Sequence, residues 1–304
     1  MDMNRRDFLK RTSLVTLGAL AIPSLIPGAG MARAPRDSDP KNFTGQAAFM
    51  KITKLAEEGK WKSLPIGELI GKIGLEMRGT PYVGSTLELF DDHEVCSVNL
   101  LGLDCVTFFE SALGLARSIK RGDATPAALM AQVTYTRYRG GRMTDYTSRL
   151  HYTSDWFYDN EAKHVVRNIT RELPGAVRFT NPVNFMSTHP DAYKQLKANP
   201  KLVPVIAEVE RSINSRTMYY VPKDKVKSIE PKLQTGDIIG ITTTINGIDC
   251  SHTGLCYRDD AGLLRFLHAS LTKKQVTLDD ELSVYLASVS KHTGIMVVRP
   301  VEVR

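Results

Sequence analysis

A chain of 304 residues, 42% hydrophobic and 24% charged, has enough apolar material for a sizeable core, and its formal charge of +7 is mild for its length. The basic residues form neither a clustered stripe nor a recognisable nucleic-acid-binding module, so nucleic acid is not expected as a partner. Four cysteines and seven histidines show no standard zinc spacing and no His-Glu-x-x-His helix, so no metal or other cofactor is expected.

In chain order, the first segment reads as a leader. Asn4-Arg5-Arg6-Asp7-Phe8-Leu9-Lys10 is a twin-arginine signature, followed by a weakly apolar run from Leu14 to Ile26 and a small-residue cleavage pattern at Ala32-Arg33-Ala34. Gly18, Pro23, Pro27, Gly28 and Gly30 interrupt a stretch already too short for a bilayer. Residues 1–34 are therefore expected to direct export, with a periplasmic or extracellular destination and no stable membrane insertion once removed. They hold five basic and two acidic side chains, which leaves 7 − 3 = +4 on the remainder.

Residues 35–304 are expected to form a single domain. Residues 35–78 carry helical apolar stripes (Phe49, Ile52, Leu55, then Ile66, Leu69, Ile70, Ile73) and lead into Gly79-Thr80-Pro81-Tyr82-Val83-Gly84. Asp104 then precedes a segment with apolar residues at Val106, Phe109, Leu113 and Ala116, predicting a helix that opens on Cys105. Free N–H groups and the helix dipole at that terminus predict a lowered thiol pKa. A small buried cysteine at the start of a core helix is the plain alternative.

Residues of about 118–230 predict a long, helix-rich insertion. Thr134-Tyr135-Thr136-Arg137-Tyr138, Arg149-Leu150-His151-Tyr152 and Asp155-Trp156-Phe157-Tyr158 concentrate aromatic and cationic side chains, suited to stacking on a sugar and pairing with a carboxylate. Arg149, Tyr152 and Trp156 are the candidate substrate-binding residues, although such a cluster also suits a core. The runs Arg137-Tyr138-Arg139 and Lys223-Asp224-Lys225-Val226-Lys227 read as solvated faces.

From Gly236 onward the pattern is strand-rich. Asp249–Tyr257 and Leu264–Ser270 read as two strands joined by the turn-forming Arg258-Asp259-Asp260-Ala261-Gly262, a hairpin that brings His252 and His268 onto neighbouring positions. Cys250, His252 and Cys256 would share one face of the first strand. Gly294–Val298 predicts a buried closing strand. Cys105 with two histidines suits acyl transfer: a thiol nucleophile, an imidazole base, and a third polar group that fixes the base's tautomer.

These segments, in this order, resemble the NlpC-type cell-wall hydrolases, a papain-like superfamily of cysteine amidases and endopeptidases. The resemblance rests on Gly79–Gly84, Leu103-Asp104-Cys105, Gly236-Asp237-Ile238-Ile239, Ser251-His252-Thr253-Gly254 and Leu267-His268-Ala269-Ser270. Asp104–Glu110, Arg149–Tyr152 with Asp155-Trp156, and Arg299-Pro300 look more like its N-acetylmuramoyl-L-alanine amidase-like branch. The resemblance implies an α+β fold in which the helix bearing Cys105 packs on an antiparallel sheet bearing both histidines. It implies Cys105 as nucleophile, His252 as general base and then acid, His268 as the residue holding His252, and Tyr82 beside the developing oxyanion. The implied substrate is peptidoglycan or a muropeptide, cut between the muramoyl lactyl group and L-Ala. A γ-D-glutamyl-diamino acid endopeptidase, an acyltransferase using the same residues, and a catalytically inactive wall-binding protein remain alternatives.

Overall fold

The computed structural model describes residues 42–303, so the leader reading of residues 1–34 lies outside the described residues. In chain order the strands are β1 (Phe43–Thr44), β2 (Val98–Asn99), β3 (Val166–Asn168), β4 (Val177–Phe179), β5 (Met218–Pro222), β6 (Ile238–Thr243), β7 (Cys250–Arg258), β8 (Leu264–Ser270), β9 (Gln275–Glu281) and β10 (His292–Pro300). The helices are α1 (Gln46–Glu58), α2 (Ile66–Glu76), α3 (Cys105–Arg121), α4 (Pro126–Arg137), α5 (Thr153–Ala162), α6 (Phe185–Thr188), α7 (Lys194–Ala198), α8 (Val203–Asn214), α9 (Lys223–Ile229) and α10 (Leu282–Ala287). The arrangement is α+β.

The main sheet runs β4-β5-β10-β6-β7-β8-β9, with β3 also pairing with β10, and its ladders are antiparallel. β10 was expected to close the sheet. It lies instead between β5 and β6, which explains why Ile295, Val297 and Val298 are buried without alternation. The segment expected as an insertion does supply helices α4 to α9, but its β3, β4 and β5 are built into the main sheet.

Two apolar layers cover the two faces. On one, α2 and α3 pack over Leu255, Leu267 and Ala269; on the other, Val226, Ile229, Leu282 and Leu286 of α9 and α10 cover Ile239, Ile241, Cys256 and Phe266. α3 starts where Asp104 accepts from the N–H groups of Val106 and Thr107 (3.0 and 2.7 Å) while Thr107 Oγ1 accepts from the Asp104 N–H, a reciprocal cap. It stops at Gly122, whose φ of +78° suits a glycine. Residues Thr107–Ile119 are buried all round, because α2, α4 and the sheet each claim a side of this helix. Gly114 permits that: a Cβ there would lie 2.9 Å from Val133 of α4.

Candidate active site

Cys105 sits at the first turn of α3, against the start of β7. Thr253 Oγ1 donates to the Cys105 carbonyl at 2.9 Å. The strand carrying His252 is thus tied to the helix carrying the sulfur. Tyr82 reaches the same place from a separate loop. Tyr82 N–H donates to the Lys274 carbonyl (2.8 Å), Val83 N–H to Leu103 (3.1 Å) and Leu103 N–H to Pro81 (3.0 Å), which pins the loop between the α3 cap and the β8–β9 turn. The Tyr82 hydroxyl is pushed up to about 12, first by burial and then by the neighbouring Cys105 and Asp104.

The two histidines meet as the hairpin pattern required. β7 and β8 pair with Leu255 opposite Leu267 and Tyr257 opposite Arg265. His252 Nε2 lies 2.7 Å from His268 Nδ1, with the ring planes nearly perpendicular at 86°. Gly254 makes room for this, since a Cβ there would fall 2.8 Å from His268 Cβ and 2.7 Å from the Phe266 ring. Burial first, then nearby His268 and His292, lowers His252 to about 3. Burial also lowers His268 to about 4, despite the raising effect of Asp279. Both rings are therefore neutral at pH 7.

Sequence reasoning missed two members of this cluster. Asp279 Oδ2 lies 3.3 Å from His268 Nε2, and its other oxygen takes Lys273 Nζ at 2.9 Å. Tyr285 of α10 has its ring centroid 4.9 Å from His268 and 6.2 Å from His252, and its hydroxyl is pushed up to about 12 by burial, then by Asp279 and Cys105. In the sequence, Asp279 stands in an acidic run that reads as solvated surface, and Tyr285 in a short amphipathic helix.

The lowered thiol expected from the helix terminus does not occur. Although the residue as a whole is half-buried, the sulfur lies in a poorly hydrated setting, and the thiol is pushed up to about 11 by burial first and the Asp104 charge second. Burial is the larger cause, and the cap adds to it. The Asp104 carboxylate engages the Val106 and Thr107 N–H groups and cancels the positive end of the dipole that the sulfur would otherwise use.

The aromatic and cationic residues expected to contact substrate are instead buried. Trp156 is 2% exposed, and its Nε1–H donates to Glu110 Oε1 at 3.0 Å. The Tyr152 hydroxyl donates to Glu210 Oε1 at 2.7 Å. Arg149, 5% exposed, faces Glu94 (3.1 Å) and Glu88 (3.7 Å) and stacks 4.8 Å from the centre of the Tyr146 ring. None offers a free face for stacking or fork-like pairing. What Arg149 and Trp156 do is wall a cavity of about 100 Å³, together with Val106, Leu150 and Thr153. Arg149→Ala should consequently cost stability, about 3 kcal/mol for stranding Glu94, rather than act through KM alone; chemical denaturation checks it.

Two further expectations are corrected. Arg137 and Arg139 are not a solvated face: Arg137 Nε donates to Glu110 Oε2 at 2.8 Å with both side chains buried, and Arg139 Nη2 pairs with Asp155 at 2.6 Å. Cys250 does not share a face with His252 and Cys256. A register shift between Ile241–His252 and Thr242–Cys250 adds one residue to β7 and turns Cys250 toward the opposite layer. Among the described residues no group of three or more ligating side chains could hold a metal. Asp249, left without a role in the sequence, accepts from the N–H of Ser154 in the first turn of α5 (2.6 Å) and ties β7 to that helix.

The N-acetylmuramoyl-L-alanine amidase-like family model matches residues 72–295, a span holding Tyr82, Cys105, both histidines, Asp279 and Tyr285. The chain belongs to this family. An N-acetylmuramoyl-L-alanine amidase from Bacteroides uniformis ATCC 8492, solved at 1.07 Å, is 32% identical with a TM-score of 0.72, covering 78% of this chain and 99% of its own. A Bacteroides fragilis protein provisionally named a xylanase is 35% identical with a TM-score of 0.69, covering 76% and 99%. A Legionella pneumophila str. Philadelphia 1 protein, 20% identical with a TM-score of 0.61 over 84% of this chain and 95% of its own, shares the fold. None of the curated proteins matches the chain. Within the amidase-like family match, a separate cleft of about 460 Å³ lined by Tyr158, Arg171, Arg216 and Tyr219 includes neither Cys105 nor either histidine.

Proposed function

We propose that the protein is a cysteine amidase of the papain-like NlpC type that hydrolyses the bond between the lactyl group of N-acetylmuramic acid and L-Ala, in peptidoglycan or its soluble fragments. The observation that carries the reading is the chain His252–His268–Asp279 set against a helix that begins on Cys105. Cys105 Sγ attacks the amide carbon and gives its proton to His252, which passes it to the leaving amine; water activated by the same imidazole then opens the thioester. The Tyr82 hydroxyl, protonated at working pH, donates to the developing oxyanion.

A neutral thiol beside a neutral imidazole calls for proton transfer during attack rather than a standing ion pair. Alkylation of Cys105 by iodoacetamide in the substrate-free protein should be slow at pH 7 and rise about tenfold per pH unit toward the thiol pKa. A flat, fast rate between pH 5 and 7, followed by mass spectrometry, would contradict this. The raised thiol also favours the second reading, a catalytically inactive wall-binding protein. Digestion separates them: a free peptide beginning with L-Ala supports the amidase, a disaccharide retaining L-Ala-D-Glu supports the endopeptidase, and intact muropeptide supports the binder.

The wall substrate and the twin-arginine sequence at residues 4–10 together support export, to the periplasm or beyond. Among the described residues no helix is long and apolar enough to cross a membrane.

A further inference from the structure

We propose that Asp279 is a positioning residue that sets, through two imidazoles in series, which nitrogen of His252 is free to take the thiol proton. The inference rests on the hydrolase reading of Cys105 and His252. It follows from the strand register: His268 pairs with Thr277 and Leu267 with Leu278, so Asp279, two residues beyond Thr277, comes to the His268 face of the sheet. Just beyond it the register shifts, leaving Asp279 and Asp280 both opposite Phe266, and the Asp279 side chain is 9% exposed.

The hydrogen-bond logic then runs one way. Burial opposes ionisation of Asp279, but Lys273, the Asp280 N–H and His268 outweigh it and hold the carboxyl below its ordinary value. An ionised carboxylate only accepts, so the neutral His268 must carry its proton on Nε2, 3.3 Å away. His268 Nδ1 is then an acceptor, and the 2.7 Å contact requires His252 to donate from its own Nε2. The remaining His252 nitrogen, Nδ1, keeps its lone pair and is the base. When it takes the Cys105 proton, the imidazolium that forms is stabilised along the same chain without a proton reaching Asp279. Tyr285 and His292, the other polar side chains near the pair, do not interrupt it: neither hydrogen-bonds His252 or His268.

Asp279→Asn inverts the chain. Lys273 Nζ, 2.9 Å from Oδ1, keeps an acceptor at that position, so the amide NH₂ replaces Oδ2 and donates to His268 Nε2. His268 must then protonate Nδ1 and donate to His252 Nε2, which puts the His252 proton on Nδ1 and removes the base. The expected result is a fall of about 10²-fold or more in kcat with KM unchanged and an unaltered fold by circular dichroism. Two-bond ¹H–¹⁵N spectra of histidine-labelled protein at pH 7 should show both rings as Nε2–H tautomers in the wild type and as Nδ1–H tautomers in the Asn variant.

An Asn variant with wild-type kcat and tautomers overturns the inference, as does a wild-type His268 protonated on Nδ1; the latter needs no variant to fold. Asp279→Ala, which imposes neither tautomer, should fall between wild type and Asn in kcat, and equal losses in the two variants would make the role merely structural. Activity surviving in Cys105→Ala would instead remove the hydrolase reading, while the wild-type tautomers would stand.

Discussion

Cys105→Ala is expected to lower the rate of muropeptide hydrolysis by at least about 10³-fold, with release of the L-Ala-initiated peptide, followed by mass spectrometry, reduced to background. The residue is half-buried and small, so thermal unfolding should stay close to wild type. His252→Ala should cause a loss of the same order. The double variant should be little worse than either single one, because a nucleophile without its base and a base without its nucleophile are equally idle. Hydrolysis persisting in Cys105→Ala would remove the thioester route. Additive losses would mean that His252 acts on something other than the sulfur.

The second large effect falls on stability. Glu110, on α3, accepts from Arg137 Nε (2.8 Å) and from Trp156 Nε1 (3.0 Å), and Arg137 Nη1 donates to the Ser97 carbonyl at 2.6 Å. Arg137→Met leaves the Glu110 carboxylate enclosed with a single indole donor. The expected cost is about 3–5 kcal/mol, or a fall in Tm of roughly 6–20 °C for a domain of this size. Adding Glu110→Leu should restore much of it, because the remaining pair of apolar side chains strands no charge. A Tm shift below about 2 °C in Arg137→Met would show that water reaches the carboxylate. The two predictions are separable: α3 presents Cys105 at its N-terminal end, while five residues later the same helix is locked to α4 and α5 through Glu110.

That lock explains why the aromatic and cationic segments misled. Tyr, Trp and Arg are the residue types that recognise sugars and carboxylates, and they are also the types that fill a large interior while satisfying its polar atoms. Spacing alone does not separate the two uses. Arg137, Arg149 and Trp156 find Glu110 and Glu94, carboxylates 27 to 55 residues away in sequence. No local pattern marks such pairs.

Local physics decided the rest of what was legible. The Asp104 cap, the apolar spacing along α3, and the turn between β7 and β8 are short-range features whose energetics lie within a few residues, so the amino-acid sequence by itself determined a helix opening on Cys105 and a hairpin that brings His252 to His268. The chemical surroundings of those groups depend on what the fold packs against them. Only the tertiary structure decided that the capping carboxylate and burial raise the thiol rather than lower it. A one-residue register shift separates Cys250 from His252, and the β8–β9 register brings Asp279 to His268. Register, burial and charge proximity are properties of strands and helices brought together from distant parts of the chain, which is why they became readable only once the chain was folded.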